Sequence, residues 1–497
     1  MFSQCSVHSA TIVGVYAVPV EVEVVISQGL PGFTIVGMTD AAIQEARERV
    51  KAALKSSGYS MPSEKIVVNL APGSMKKRGS GFDLPIALGI LIASGQVPAD
   101  IARNSLFVGE LSLDGCVKSI PGLLAYAQCA CCDGYSLTCA QEDNLSVLKG
   151  ELSIRIIDSL AALKTEDFRT YENGVCTPQS SLLDFSEVAG HDHAKRALQI
   201  AAMGNHGVML MGPPGSGKTM LAERLPSILP ALTQEEILEV ATIYSVAGLD
   251  ASNVLAGRRP FRSPHHSASC AGLVGGGSPV LPGEITLAHR GVLYLDELPE
   301  FKPAVLQSLR QPMESGKVTL VRATCSVTMP ARFSLAASAN PCPCGYLGDK
   351  ETPCRCTPHQ ITVYQARIGG PILDRIDMRI TVGRLRSADV LRSGQGTSSQ
   401  TLREGVEAGR EFRAWRENRR GRLGGRSKDL IESCLLDDQA SCYFEQLADK
   451  RKFSGRAIVR TLGVARTIAD LEESERVTKN HICEAAGLRM SDEAKGL

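Results

Sequence analysis

The run VMLMGPPGSGKTMLAERL carries the most specific chemistry in this chain. Within it, Gly212, Pro213, Pro214, Gly215, Ser216, Gly217, Lys218 and Thr219 fit G-x-x-x-x-G-K-[ST], between an apolar strand-like run and a helical one. Glycines at these places let backbone N–H groups turn inward on phosphates at a helix N-terminus. Lys218 is expected to bring charge to the β- and γ-phosphates of ATP, and the Thr219 hydroxyl to reach Mg²⁺. A second apolar run, GVLYLDELPEF, ends in Asp296 and Glu297, so a buried strand would deliver two carboxylates to the phosphate side of a parallel sheet. Asp296 suits the Mg²⁺ shell, and Glu297 suits polarisation of the attacking water. A third run, RFSLAASANP, ends in Asn340, expected on a neighbouring strand where it orients water near the γ-phosphate.

Two arginines complete the set. Arg375, in GGPILDRIDMRI, offers a guanidinium to stabilise charge developing on a transferring phosphoryl group; a surface pair with Asp374 or Asp377 is the alternative. Arg456, in KFSGRAIVRTL, lies near the start of a C-terminal helix and could reach the same nucleotide from a lid, or simply face solvent. Between Asn340 and Arg375, NPCPCGYLGDKETPCRC sets Cys342, Cys344, Cys354 and Cys356 as two C-x-C pairs. Four thiolates suit tetrahedral Zn²⁺, and the intervening GYLGDKETP is turn-rich and long enough to fold back. The C-x-C spacing is tighter than the usual C-x₂-C knuckle, and packed thiols or a reversible disulfide are alternatives. The expectation is a structural zinc clip that fixes this loop, with the chemistry left to Mg²⁺ and ATP.

These groups need elements to position them. Residues 1–160 alternate strand-like runs with two helical ones; ATIVGVYAVPVEVEVVISQG reads as paired strands, and DAAIQEARERVKAALKSSG as a helix led by Asp40 and closed by Gly58. A polar, irregular stretch follows, then helices and short buried strands alternate in the α/β manner. After RSADVLRSGQGTSSQTL, a second break, only helical periodicity remains. The expected architecture is multidomain α/β: an α+β N-terminal domain over 1–165, a linker over 166–185, a P-loop α/β core over 186–390 and a helical lid over 391–497.

Composition sets the outer bounds. A chain of 497 residues is too long for one compact core. Its 43% hydrophobic and 22% charged content is ordinary for globular protein. A net charge of +1 neither proposes nor excludes nucleic acid, because a basic face can hide in a neutral total. No apolar run is long enough for a membrane helix, and the start lacks the pattern of a signal peptide, so no membrane association and a cytoplasmic location are expected. The 16 cysteines then read as thiols or metal ligands. Cys5, Cys116, Cys270 and Cys434, and the cluster in AQCACCDG, are expected to pack as small core residues.

With GHDHAKRAL, GPPGSGKTMLAERL, RPFRSPHHSAS, PGEITLAHRGVLYLDELPEF, LRQPMESGKVTLVRA, ANPCPCG, GPILDRIDMRI and ARTIADL in hand, the chain resembles the ComM/YifB family of magnesium-chelatase-like AAA+ ATPases over nearly its whole length. His191 stands where the family usually has glutamine, a change expected to be tolerated. The resemblance implies an AAA+ module with a helical lid in a homo-oligomeric ring, a hexamer. It also implies Arg375 acting on the neighbour's nucleotide, Arg456 as lid sensor, and branch migration of DNA during recombination and natural transformation. A magnesium-chelatase-type motor subunit and a non-motor scaffold ATPase are the alternatives.

The N-terminal part also resembles the Lon-type protease domain through KKRGSGFDLPIALGILIASG and FVGELSLDGCVKSIPGLLAYAQCA. Ser80 falls near the nucleophile's place, but Tyr126 stands where the activating lysine belongs, with Lys118 nearby, so peptidase activity is expected to be lost.

In chelatase-like AAA+ proteins an insertion in the second helix projects toward the ring pore. Arg258, Arg259, Arg262, His265 and His266 could contact DNA phosphates there, with Lys317 and Arg322 on a following hairpin; a buried polar hinge is the alternative. The arginine-rich stretch 410–428 could be a DNA-facing lid surface or a solvated helix face. Any DNA binding is expected to be backbone-driven, sequence-independent and salt-sensitive.

Overall fold

The computed structural model describes residues 3–148, 150, 152–171, 183–277, 280–322, 325–349, 351–385, 396–420 and 427–489. The middle of the expected linker, the expected 390/391 boundary and part of the arginine-rich stretch lie outside the described residues.

Alternating valines make the first structural unit. Ser3–Val13 and Tyr16–Ser27 pair antiparallel with Val13 opposite Tyr16, through a turn that needs the positive φ of Gly14. They form the middle of an eight-stranded sheet that runs from Arg169–Thr170 at one edge to Gly32–Val36 at the other. The helix Ala41–Ser56 starts on Asp40, whose carboxylate accepts from the Ile43 N–H at 3.0 Å. Two further helices, Asp83–Ala93 and Leu123–Cys132, cover the sheet; the first is apolar after its leading Asp83 and buried on nearly every side, which hides its helical period in the sequence.

The second unit holds a five-stranded sheet in the order Phe261–Arg262, Val292–Leu295, Ser334–Ala339, Val208–Met211, Met378–Thr381. Each adjacent pair is parallel. Buried on both faces, these strands read as short apolar runs rather than alternating ones. Between the first two lies a helix broken into Cys270–Val274 and Glu284–Leu287 by a small hairpin that pairs Gly275–Gly276 with Leu281–Pro282. A longer antiparallel hairpin, Lys317–Arg322 with Cys325–Pro330, precedes the strand Ser334–Ala339.

The third unit is helical: Ser399–Arg420, Ser427–Cys434, Asp438–Arg451, Gly455–Leu471 and Lys479–Arg489. Arg416 makes a bidentate pair with Asp470 at 2.9 and 3.1 Å, both side chains buried. Arg416 is therefore an internal tie, whereas Arg410, Arg413 and Arg419 of the same helix are exposed.

The units share a core. Gly122 donates to the Ser245 carbonyl at 2.8 Å, Gln128 reaches Thr242 at 3.1 Å, and the turn at Gly14 sits directly against Val327. Of the seven cysteines expected in the core, Cys434 and Cys129 are buried, whereas Cys131, Cys132 and Cys270 are exposed and Cys5 and Cys116 half-buried, so the core assignment fails for most of them.

Candidate active site

Parallel register brings the expected residues to one edge of the five-stranded sheet. Met211 pairs with Ala339, and Leu295 with Ala337, so the residues that follow each strand emerge side by side. These are Gly212, Asn340 and Asp296. Gly215 and Gly217, at φ 74° and 85°, bend the loop into the helix Lys218–Glu223. Lys218 Nζ donates to the carbonyls of Gly212 and Pro213 at 2.8 and 2.9 Å and to Asn340 Oδ1 at 3.2 Å. Burial lowers its pKa, opposed by the carboxylates of Asp296 and Glu297.

Thr219 Oγ1 lies 3.2 Å from Asp296 Oδ2, so hydroxyl and carboxylate converge as a Mg²⁺·ATP site requires. Asp296 is oriented by groups that the sequence pattern did not single out: Tyr294, whose hydroxyl donates to Oδ1 at 2.9 Å, and Ser338, which also donates to that oxygen. Both sit in strands whose apolar neighbours mask them. Glu297 takes a left-handed backbone, φ 51°, its N–H held by Ser338 Oγ at 3.1 Å, and its side chain is exposed. His191 lies against the same loop, where burial first and then Lys195 hold its imidazole below the usual range. A Cβ placed on Gly217 would be 3.8 Å from its Nε2.

Arg375 is elsewhere. It precedes the strand Met378–Thr381, and Met378 pairs with Val208, so it lies at the opposite edge of the sheet, beside Gly207. From Gly207 to Gly212 is about 16 Å of extended chain at about 3.3 Å per residue. Arg375 Nη2 meets Glu314 Oε1 at 2.5 Å, while Asp377 takes Arg460 and the Gly207 N–H. Arg456, on the lid helix Gly455–Leu471, donates to the same Glu314 oxygen at 2.8 Å.

The four cysteines form a compact cluster, all Sγ atoms within 4.8 Å of one another. Cys342 lies 3.4 Å from Cys344 and 3.6 Å from Cys354, and Cys344 lies 3.6 Å from Cys354. A disulfide needs about 2.05 Å. A tetrahedron with Zn–S of about 2.3 Å has edges of about 3.8 Å, close to what is seen. Burial pushes the Cys342 thiol up to about 12, whereas backbone N–H groups of Tyr346 and Arg355 bring Cys344 down to about 6. The donor set fits zinc. Between the pairs, Gly345 touches the phosphate loop: a Cβ there would sit 2.5 Å from Pro214 Cδ. The cluster thus abuts the nucleotide loop directly, a contact between distant segments that spacing alone does not reveal.

The other expected contacts divide. Arg259 donates to the carbonyls of Pro230 and Arg290, both at 2.7 Å, and to Glu236 at 2.9 Å; Arg262 makes a bidentate pair with Glu284 at 2.6 and 2.7 Å. Arg258 bonds Asn253 at 3.1 Å. Those guanidiniums serve the fold around the broken helix. His265 and Lys317 are exposed, and His266 is half-buried with its ring edge-on to Phe301. In the N-terminal unit Ser80 donates to Glu110, Lys118 is the cross-strand partner of Glu110, and the buried Tyr126 hydroxyl lies 3.7 Å from a Cβ placed on Gly81.

A phosphate loop, an acidic strand end and an asparagine on the strand between them, set on a parallel sheet with a broken second helix, define a nucleotide site of the AAA+ magnesium-chelatase-like type. Family models agree along the chain. Residues 184–390 match magnesium chelatase, subunit ChlI; residues 22–143 match subunit ChlI of Mg-chelatase; residues 396–489 match the ChlI C-terminal family. The uncharacterized protein YifB of Escherichia coli is 41% identical over 498 residues, covering 98% of this chain and 97% of that one. The competence protein ComM of Haemophilus influenzae is 40% identical, covering 97% of each. The magnesium-chelatase 67 kDa subunit of Chlorobaculum tepidum is 29% identical over 164 residues, 32% of this chain and 24% of that one. The chain belongs to the ComM/YifB family of magnesium-chelatase-like proteins.

Proposed function

We propose that this protein is a ring-forming, ATP-hydrolysing motor that acts on DNA in the cytoplasm, a branch-migration helicase of recombination. The observation that carries the reading is the division of the hydrolytic set between two edges of one sheet. Lys218, Thr219, Asp296, Glu297 and Asn340 stand at one edge, and Arg375 at the other, joined there by Arg456. An arginine about a strand length from its own nucleotide loop can serve only a second copy's nucleotide. Copies related by one repeated rotation, each giving the arginine edge to the next phosphate edge, close into a ring; we propose six. The DNA part rests on family membership with ComM, whose name marks it as a competence protein.

Within this reading Lys218 and the loop N–H groups hold the β- and γ-phosphates, while Thr219 and Asp296 hold the Mg²⁺ that arrives with ATP. Glu297 then draws a proton from the attacking water, which Asn340 orients. Exposed Lys317 and His265, with half-buried His266 beside them, are the DNA-contact candidates of this reading. Cys342, Cys344, Cys354 and Cys356 would hold a structural Zn²⁺ that braces the loop against Pro214. We read the N-terminal domain as a Lon-like fold without peptidase chemistry, since the Ser80 hydroxyl donates to Glu110 and Tyr126, not lysine, stands where the resemblance places the activating base.

The decisive experiment compares ATP turnover with no polymer, with single-stranded DNA and with branched DNA, for the wild type and Glu297→Gln. Turnover should rise with DNA, most with the junction, and Glu297→Gln should assemble yet move no junction. Equal rates on all three would sink the DNA reading and leave the ATPase intact.

A further inference from the structure

Glu314 stands where three parts of the molecule meet. It lies in the last turn of the short helix Arg310–Ser315, and Gly316, at φ 66°, turns the chain directly into the hairpin strand Lys317–Arg322. Ser315 pins helix to hairpin: its hydroxyl lies 2.9 Å from the Gln311 and Lys317 carbonyls and accepts the Lys317 N–H at 3.2 Å. The Gly316 carbonyl takes the Ala331 N–H at 2.8 Å, closing the base from the other side. Carboxylate and hairpin base therefore move as one piece.

On that piece Glu314 Oε1 accepts from Arg375 at 2.5 Å and from Arg456 at 2.8 Å. One arginine comes from the sheet edge and the other from the lid. Two guanidiniums this close repel unless an anion lies between them, and Glu314 is that anion. Its side chain is 49% exposed while that of Arg375 is 8% exposed, so the carboxylate is the more replaceable member of the pair. A phosphate offers the same planar forks a stronger acceptor.

We infer that Glu314 is a positioning residue that couples the neighbour's nucleotide to the hairpin, an inference that rests on the assembly proposed above. With ADP next door, both arginines stay on Glu314 and the hairpin base is restrained. With ATP next door, the γ-phosphate takes the arginines, Glu314 loses its partners, and the base is released. The hairpin, whose buried face is Val318, Val327 and Met329 and whose far end carries exposed Val321, thereby reports the state of a site on another copy.

Hydrogen exchange tests this without DNA. In a Glu297→Gln background, which keeps ATP intact, exchange at 317–322 and 325–330 is compared between ATP and ADP. The parent should show a difference of about threefold or more, and Glu314→Ala should reduce it below about 1.5-fold, with nucleotide protection of the 212–219 loop retained. Glu314→Gln, which keeps the volume, gives the same result if alanine disturbs folding. Variants that respond to ATP like the parent, or a parent that does not respond, overturn the inference. Mass photometry on the same samples separates the causes: a failed response in assembled protein overturns the coupling alone, and absence of assembly overturns both.

Discussion

Removing Arg375 should abolish turnover in a way that a second, differently damaged copy repairs. The residue lies about 16 Å along the strand from the loop that holds Lys218, so no single chain can bring the two to one phosphate. An arginine finger contributes about 10³–10⁵ in turnover, and Arg375→Ala is expected to lose at least the lower figure. Lys218→Ala should be equally dead. Mixed in equal amounts and reassembled, the two are complementary at interfaces where an Arg375→Ala chain supplies the phosphate loop and a Lys218→Ala chain the arginine. Random assembly makes about one interface in four of that kind, so the mixture should recover about a quarter of wild-type activity if interfaces fire independently. Glu314 stays half-exposed and paired with Arg456, but the buried Arg375 stem is lost, so Arg375→Ala should lower the melting temperature through lost packing. Arg375→Lys, which retains the buried stem and charge but not the fork, should remain mostly inactive. The assay is steady-state phosphate release before and after mixing. A mixture no more active than its components would refute the trans geometry.

The phosphate loop should also respond to the cysteine cluster. Gly345→Ala forces a Cβ to within 2.5 Å of Pro214 at φ 83°, and should raise KM for ATP about three- to tenfold with kcat little changed. Freshly reduced protein should carry one zinc per chain by metal analysis; Cys342→Ser should lose it and lower both Tm and ATP affinity, and zinc well below one per chain would count against the brace. Acid should act through Glu239, brought down to about 2 from 4.5 by His289, with Arg290 adding to the effect. A depressed carboxylate stabilises the fold fully above 4.5 and loses that contribution as pH falls toward 2, so Glu239→Gln should flatten that limb of a Tm-versus-pH curve.

Much of this site was legible because its parts are local. The glycine spacing before Lys218 and the apolar runs ending in Asp296 and Asn340 each encode a strand and the turn that follows it, and parallel pairing does the rest. The helix Asp83–Ala93, apolar after its leading Asp83, hid its period, since a helix buried on nearly every side carries no amphipathic signal. The partners of the two arginines were invisible for a different reason. Glu314 is brought to Arg375 and Arg456 by three separate elements, and nothing in QPMESGKV distinguishes it from a solvated helix end. Arg259 and Arg262 show the converse: a run dense in arginine invites a nucleic-acid reading, yet Glu236, Glu284 and backbone carbonyls already occupy those guanidiniums.

The same topology explains why catalysis and assembly should be inseparable here. In a parallel sheet every residue that follows a strand reaches one edge, and every residue that precedes a strand stays at the other. Asp296 and Asn340 follow their strands; Arg375 precedes its own. No rearrangement of side chains can reverse that, because it is fixed by chain direction. A chain built this way binds nucleotide alone but needs a neighbour for charge stabilisation in the transition state. The lid strengthens the constraint by committing Arg456 to the same edge through Glu314, so both cations gather on one carboxylate there. The cysteine loop joins Asn340 to the helix that precedes Arg375 and leans on Pro214 on the way. A clip there can stiffen the phosphate side without tying it to the arginine side, which leaves the two edges free to respond to different nucleotides.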